Sequence, residues 1–163
     1  MRWLLIALAL SLAGLAGCPK PAAPVAPSTL TPAEVVTAGK ATLEKWRQAY
    51  ELRSADTLGE LYAHDLDLVV VLEGQTFLGW DAVGGMLNER VKMSDKIFIR
   101  LKDTSVISLG PDAAFAHASM TRETVAAGGS TSVTENGIVT FVLRKQDDRW
   151  VIGSEHYSYK RAQ

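Results

Sequence analysis

Residues 113–159 decide the fold, and they read AAFAHASMTRETVAAGGSTSVTENGIVTFVLRKQDDRWVIGSEHYSY. Runs rich in Val, Ile, Thr, Phe and Tyr alternate here with two short turn sequences, AAGGS around Gly128 and QDD around Asp147. Residues of these types favour strands, and short turns join neighbouring strands in an antiparallel arrangement. We therefore predict an antiparallel meander of four strands, which cover 97–109, 113–125, 131–145 and 149–159.

The residues before this meander predict helices. In Thr31-Pro32-Ala33-Glu34 the threonine can cap a helix, the proline suits its first position, and the glutamate completes a capping box. Ser54 offers a second cap, and a strand over 66–72 leads to a third helix that begins at Gly79-Trp80-Asp81. Helices followed by a long antiparallel sheet define an α+β domain.

The first residues have the layout of an exported lipoprotein. A single charge, Arg2, precedes an apolar run too short to span a bilayer, which is the arrangement of a secretory signal. The run ends in Leu15-Ala16-Gly17-Cys18, which resembles the lipobox of bacterial lipoproteins, and Cys18 is the only cysteine of the chain. The resemblance implies cleavage before Cys18 and lipidation of this residue. Pro19, in place of Asp, resembles the default sorting to the outer membrane of a Gram-negative cell, facing the periplasm. The alternatives are an ordinary signal cut elsewhere and an uncleaved anchor.

A proline-rich segment, PKPAAPVAPSTLTP, follows Cys18 and holds five of the six prolines. At about 3.1 Å per residue it can hold a domain roughly 40 Å from the membrane. We therefore divide the chain into a signal peptide (1–17), a lipidated tether (18–32) and one domain (33–163). Removal of the signal peptide takes Arg2 away and changes the formal net charge from −1 to −2. This balance argues against a nucleic acid as partner.

The domain resembles SnoaL-like domains of the nuclear transport factor 2-like superfamily in its opening, its third helix and its ending. The matching pieces are Trp46…Tyr50 with Asp56…Leu61-Tyr62-Ala63-His64-Asp65, then Gly79-Trp80-Asp81-Ala82-Val83, and last Arg149-Trp150-Val151-Ile152-Gly153-Ser154-Glu155-His156-Tyr157-Ser158. The resemblance implies a cystatin-like cone, in which a strongly bent antiparallel sheet wraps around the long N-terminal helix and leaves a pocket at its open end. It also implies a homodimer through the outer face of the sheet.

This superfamily contains isomerases, dehydratases, hydrolases and non-catalytic proteins, and the fold does not choose among them. Its ketosteroid-isomerase-like members place a base, a tyrosine and a second carboxylate at positions that correspond here to Val70, Gln48 and the stretch 138–141. A valine cannot take a proton, Gln48 is no tyrosine, and residues 138–141 contain no acid. We therefore predict that the chain has no ketosteroid isomerase activity.

His156 is the most informative polar residue of the last strand. In strict alternation it shares a face with Trp150 and Ile152, so we expect it to point into the cone. An imidazole there can exchange a proton near neutral pH, or it can simply bind a neighbouring backbone group. We expect His117 in the same row, one strand away, either beside His156 or facing solvent. Two histidines without a carboxylate make a poor metal site, and we expect neither a metal nor a cofactor.

The other candidates for the pocket are aromatic residues on the helices, whose default role is the core, and polar residues on the strands. The expected ligand pocket consists of Trp46, Tyr50, Tyr62, Trp80, His117, Thr140 and His156. Strand parity alone leaves Arg122, Glu123 and Glu135 undecided.

Three functions stay open at this point. The first is a membrane-anchored, non-catalytic domain that binds a small apolar or amphipathic ligand, or a protein partner, in its cone. The alternative is an isomerase, dehydratase or hydrolase that uses His156 for acid–base chemistry. The third is a purely structural domain that dimerises at the cell envelope.

Overall fold

The first helix begins as the sequence predicts. The computed structural model describes residues 29–129 and 131–161, so the predicted signal peptide, Cys18 and the tether up to residue 28 lie outside the described residues. Helix α1 (Pro32–Glu51) is capped by Thr31, whose backbone N–H donates to the Glu34 carboxylate at 2.7 Å. The Thr31 hydroxyl accepts from the amide of Glu34, which completes the capping box. Within the described residues, no helix combines the length and the hydrophobicity that a membrane span requires.

Two more helices and six strands complete the described part of the chain. They are α2 (Ala55–Gly59), β1 (Val69–Leu72), β2 (Gln75–Leu78), α3 (Gly79–Lys92), β3 (Ser94–Gly110), β4 (Ala113–Ala126), β5 (Ser132–Gln146) and β6 (Arg149–Arg161). Ser54 caps α2, because its hydroxyl accepts from the amide of Thr57. The predicted three helices and four-strand meander are therefore confirmed.

The six strands form one sheet in the order β2-β1-β6-β5-β4-β3. Strands β3 to β6 are the antiparallel meander, whereas β1 pairs with β6 in parallel and with β2 as a short hairpin. Neither β2 nor the parallel pairing follows from the sequence pattern. The predicted fold class, an α+β domain with a bent and mainly antiparallel sheet around a long N-terminal helix, is confirmed.

The core lies between α1 and the concave face of the sheet. Trp46 is completely buried at its centre, and its ring meets those of Tyr50 and Phe141 at 72° and 80°, with centroid distances of 5.0 and 5.1 Å. Edge-to-face contacts of this kind add to the free energy gained from burial. Truncation of such a side chain costs about 3–5 kcal/mol, so Trp46 fixes the position of α1 on the sheet.

Strand β6 contains a bulge at Gly153. Leu143 of β5 pairs with Ile152, and the preceding Val142 pairs with Ser154, so Gly153 has no counterpart on β5. An extra residue on one strand shifts the alternation of its side chains by one position.

Because of the bulge, each residue after Gly153 points to the face of the sheet opposite to the one that strict alternation predicts. Ile152 is buried before the bulge, and Glu155 and Tyr157 are buried after it, whereas His156 is exposed. The prediction that His156 points into the cone is therefore wrong. The prediction assumes that the alternation set by Trp150 and Ile152 continues to His156, but the bulge at Gly153 interrupts this alternation.

Three expected pocket residues lie together on the outer face of the sheet. Thr140 pairs with His117 on one side and with His156 on the other, so the two histidines share a row, as predicted. The neighbours of Thr140 along β5, Val139 and Phe141, are buried, so this outer histidine row points away from the core. The expectation that these residues line the interior pocket is therefore wrong.

Candidate functional site

Polar side chains gather inside the cone, from the concave face of β4, β5 and β6, from α1 and from the segment after α2. We call them the interior polar cluster. Its members are Tyr50, Tyr62, Arg122, Glu135, Glu155, Tyr157 and Tyr159. All are buried except Tyr159, which is half-buried. Buried polar side chains are costly unless they have partners, so a cluster of this size in a small domain calls for an explanation.

Glu155 lies at the inner end of the cluster and is only 1% exposed. Its Oε2 accepts a hydrogen bond from the Tyr62 hydroxyl. That hydroxyl in turn accepts from the Trp46 indole N–H at 2.9 Å. The other carboxyl oxygen, Oε1, has no hydrogen-bond partner among the described residues. The carboxyl is thus fixed by one relay of donors, and the Tyr157 hydroxyl lies close enough to act on it as well.

Burial raises the pKa of Glu155 above its ordinary value of 4.5. The hydroxyls of Tyr157 and Tyr62, and the charges of Arg90 and Arg122, act in the opposite direction without cancelling the effect of burial. The low-dielectric surroundings therefore favour the neutral acid over the carboxylate. A carboxyl that can hold a proton to a higher pH is suited to acid–base chemistry and to hydrogen-bond donation.

Arg122 and Glu135 form a buried ion pair at the outer end of the cluster. They are 1% and 4% exposed, and the Arg122 Nε donates to Glu135 Oε2 at 2.7 Å, together with Nη2. The guanidinium carbon lies 5.3 Å from the ring centroid of Tyr157 and 5.4 Å from that of Tyr159. Burial acts to lower the pKa of Arg122, but Tyr157 and Glu135 raise it, so the charge is retained. Nη1 has no hydrogen-bond partner among the residues described.

The tyrosines of the cluster keep their protons. Burial raises the pKa of Tyr62 and of Tyr157 well above 10.0, and nearby Glu155 adds to the effect. Burial also raises the pKa of Tyr159 to about 12, with a contribution from Glu73. Their hydroxyls are therefore available as donors at any physiological pH.

A cavity of about 360 Å³ leads to this cluster from solvent. It opens between the C-terminal end of α3, the β1–β2 turn and the β4–β5 hairpin, and Arg122 and Glu135 lie at its floor. Arg90 contributes a further charge to its wall, and Met93 and Val133 contribute apolar surface. Glu155 does not line the cavity, although the charges of Arg90 and Arg122 act on its carboxyl group.

The predicted aromatic residues fall into two groups. Trp46, Tyr50 and Tyr62 lie together in the interior, where they support Glu155. Trp80 lies elsewhere, in a groove between α2 and α3, and stacks on the ring of His64 at a centroid distance of 4.0 Å. Within the described ranges, no three side chains of the types that ligate metals come together.

Glu155 is the residue that sequence reasoning missed. A glycine inside a strand is a known sign of a bulge, and Gly153 therefore signalled that the alternation could change. Tyr157 and Tyr159, large residues in phase with Glu155, gave the same indication. Of the three residues left undecided, Arg122 and Glu135 face the interior, whereas Glu123 faces outward, with Arg100 at 3.7 Å.

With this geometry in view, comparison with known proteins identifies the family. The profile of the SnoaL-like domain matches residues 40–162, and the chain belongs to this family. None of the proteins of curated function is significantly similar to it in sequence.

Solved structures share the same architecture at low sequence identity. A proposed dehydratase of the NTF2-like family from Streptomyces avermitilis has a TM-score of 0.73 and 20% identity, with 81% of this chain and 100% of that chain covered. An NTF2-like superfamily protein from Salmonella enterica has a TM-score of 0.70 and 18% identity, covering 77% and 91%. The hexachlorocyclohexane dehydrochlorinase from Novosphingobium barchaimii has a TM-score of 0.63 and 12% identity, covering 77% and 88%. Identities this low show a common fold and nothing about the reaction.

Proposed function

We propose that this protein is a lipid-anchored, extracytoplasmic domain that binds a small amphipathic molecule in the cavity above the interior polar cluster. The observation that carries the proposal is the floor of that cavity, where the buried Arg122–Glu135 pair meets solvent-accessible space. Binding sites of this kind are concave and partly apolar, with a few convergent polar groups.

The buried ion pair has little value for stability alone. Replacing such a pair by apolar residues of similar volume is often neutral or stabilising, because desolvation offsets the attraction between the charges. Here the pair also has Nη1 of Arg122 without a partner among the described residues. A ligand that offers an acceptor would satisfy this donor, and this supports binding over a purely structural role.

Binding without chemistry is favoured over catalysis because the most reactive group is closed off. Glu155 is 1% exposed and does not line the cavity, whereas Arg122 does. Arg122 is equally buried, but it forms part of the cavity wall, whereas Glu155 does not.

A pair of cavity-filling variants tests the proposal. Val133→Trp should fill the cavity and abolish the binding of small molecules that co-purify with the protein, as measured by mass spectrometry of the denatured complex. Leu66→Trp, outside the strands, 90% exposed and not in the cavity wall, is the matched control and should retain them. If the two variants and the wild type carry the same molecules, or none does, the cavity is not the binding site.

Acid–base catalysis by Glu155 is a second candidate function, favoured by its raised pKa and its three neighbouring tyrosines. A general acid works best when its pKa lies near the working pH. The variant Glu155→Gln should then bind the co-purified molecule normally but lose the exchange of its activated C–H protons with D2O. Equal exchange by the variant and the wild type would rule out this role, and His156 has no access to the same site because it lies on the outer face.

The anchoring part of the proposal rests on the lipobox sequence that ends at Cys18. Two or three acyl chains hold a protein firmly to a bilayer, at about 0.8 kcal/mol per buried CH2. In cells fed a radioactive fatty acid, the wild type should be labelled and Cys18→Ser should not. Labelling of the serine variant would contradict lipidation at this residue.

A further inference from the structure

We infer that the cavity selects small amphipathic acids, whose carboxylate binds between the guanidinium groups of Arg90 and Arg122 while the apolar body lies along Met93 and Val133. The inference rests on the proposed function, since it names the class of ligand for the same cavity.

Arg122 is held in place by Glu135 and still has one N–H group without a partner among the described residues. Its guanidinium is held by Glu135 through Nε and Nη2, both of which donate to the same carboxylate oxygen. Nη1 is buried and has no partner in the described part of the chain. Because a guanidinium has five donors in a rigid plane, one carboxylate in this geometry does not satisfy it. An acceptor supplied by a ligand would complete the set.

Arg90 places a second guanidinium on the wall of the same cavity. It is half-buried on the cavity wall and forms no ion pair with any residue that the structure describes. Its guanidinium carbon lies 5.9 Å from the ring centroid of Tyr157, and that of Arg122 lies 5.3 Å from the same centroid. Both arginines also line the same cavity, where a planar anion could accept hydrogen bonds from either guanidinium or from both.

The charges that line the cavity are equal in number, two arginines and two glutamates. The charged residues that line it are Arg90, Arg122, Glu73 and Glu135. Glu135 is engaged by Arg122, and Glu73 acts on the hydroxyl of Tyr159. Glu155 does not line the cavity, and burial raises its pKa while the charges of Arg90 and Arg122 act to lower it. Arg90, in contrast, has no ion-pair partner among the described residues, and an anionic ligand would supply one.

The apolar side chains of the cavity wall indicate what the part of the ligand beyond its carboxylate should be. Met93 is 68% exposed and Val133 is 37% exposed, so both offer hydrophobic surface at the mouth of the cavity. A volume of about 360 Å³ is at the lower end of the range for small-molecule sites. It fits a medium-chain or aromatic acid and is too small for a phospholipid with two acyl chains.

Three probes of equal length but different charge test this selection. The full chain in lipid nanodiscs is titrated calorimetrically with octanoate, octanol and octylamine, and the heats from empty nanodiscs are subtracted. We expect octanoate to bind at least about tenfold more tightly than octanol, and octylamine to bind most weakly. Arg90→Gln should weaken octanoate by about tenfold and leave octanol unchanged.

Lys92→Gln is the matched control, because it removes one positive charge from the same helix at a residue that does not line the cavity. It should bind all three probes like the wild type. Equal affinity for octanoate and octanol would overturn the selection of acids while leaving a binding cavity in place. An equal loss of octanoate affinity in Arg90→Gln and Lys92→Gln would show that only the overall charge of the protein attracts the acid. This result would also overturn the selection of acids by the cavity. Failure of all three probes to bind would overturn both the inference and the proposed function.

Discussion

Glu155 is a carboxylic acid removed almost completely from water. It is 1% exposed, it accepts from Tyr62, and it lies among the rings that also hold α1 on the sheet. Such a residue contributes little to stability that an uncharged side chain could not provide. Its presence is best explained by the polar chemistry of the cavity, through Arg122, and its protonation state sets the charge of the whole cluster.

Glu155 should make the protein less stable as the pH rises. Burial raises its pKa in the folded state above the ordinary value of 4.5, so the folded protein holds this proton to a higher pH than the unfolded chain does. The stabilisation is present below the unfolded pKa and is lost between the two pKa values, by at most about 1.4 kcal/mol per pH unit. Glu155→Gln should remove this decline, as seen in urea unfolding curves from mildly acidic to mildly alkaline pH.

The matched control for that measurement is Glu89→Gln, which removes a carboxylate from the exposed surface of α3. It should follow the wild-type curve of stability against pH. A Glu155→Gln protein with the same decline as the wild type would show that Glu155 does not hold its proton on folding.

At the scale of secondary-structure elements, the sequence predicts those features that depend on residues close together in the chain. The cap at Thr31, the cap at Ser54 and the turns of the meander depend on groups within a few residues of each other, and all are found. The parallel pairing of β1 with β6 depends on residues far apart in the chain, and no local pattern encodes it. The bulge at Gly153 depends on how β6 meets β5, and it decides that Glu155 and not His156 faces the interior.

The close approach of β5 and β6 depends on Gly137. A Cβ atom at this position would overlap the backbone carbonyl oxygen of Ser158 and would come within 2.5 Å of the Tyr159 Cα. These atoms belong to the neighbouring strand and cannot swing away. Gly137→Ala should therefore destabilise the protein by about 1–3 kcal/mol, measured by chemical denaturation.

Gly85→Ala gives the opposite result for the same chemical change. Gly85 is exposed in α3, and nothing lies within 4 Å of the Cβ that alanine would add. Alanine favours a helix over glycine by about 0.5–1 kcal/mol, so this variant should be more stable than the wild type. A Gly137→Ala protein as stable as Gly85→Ala would show that the two strands can separate without cost.

At the scale of the whole molecule, the two faces of the sheet differ in the side chains that they carry. The concave face holds the interior polar cluster, and the outer face carries the outer histidine row among exposed apolar side chains. Ile107, Ile138 and Val142 are 51%, 53% and 40% exposed there. We propose that a second copy of the chain covers this outer face, as the family resemblance implies. An exposed apolar surface of this kind is typical of an interaction site.

Ile138→Lys should break such a dimer, because it places a charge in the middle of the apolar surface. Sedimentation equilibrium in detergent should give a dimer for the wild type and a monomer for this variant. Leu66→Lys, 90% exposed and outside the strands, is the control and should remain dimeric. A wild-type protein that sediments as a monomer would contradict the proposed dimer and leave the cavity untouched.

The central claim is that the cavity above the interior polar cluster, and not the outer face with its two histidines, is where small molecules bind. Methyl NMR of the Met, Val and Ile side chains during addition of octanoate tests it most directly. We expect the resonances of Met93 and Val133, on the cavity wall, to shift and saturate, while those of Ile138 and Val142, on the outer face, stay in place. Saturable shifts at Ile138 and Val142 with unchanged Met93 and Val133 would contradict it.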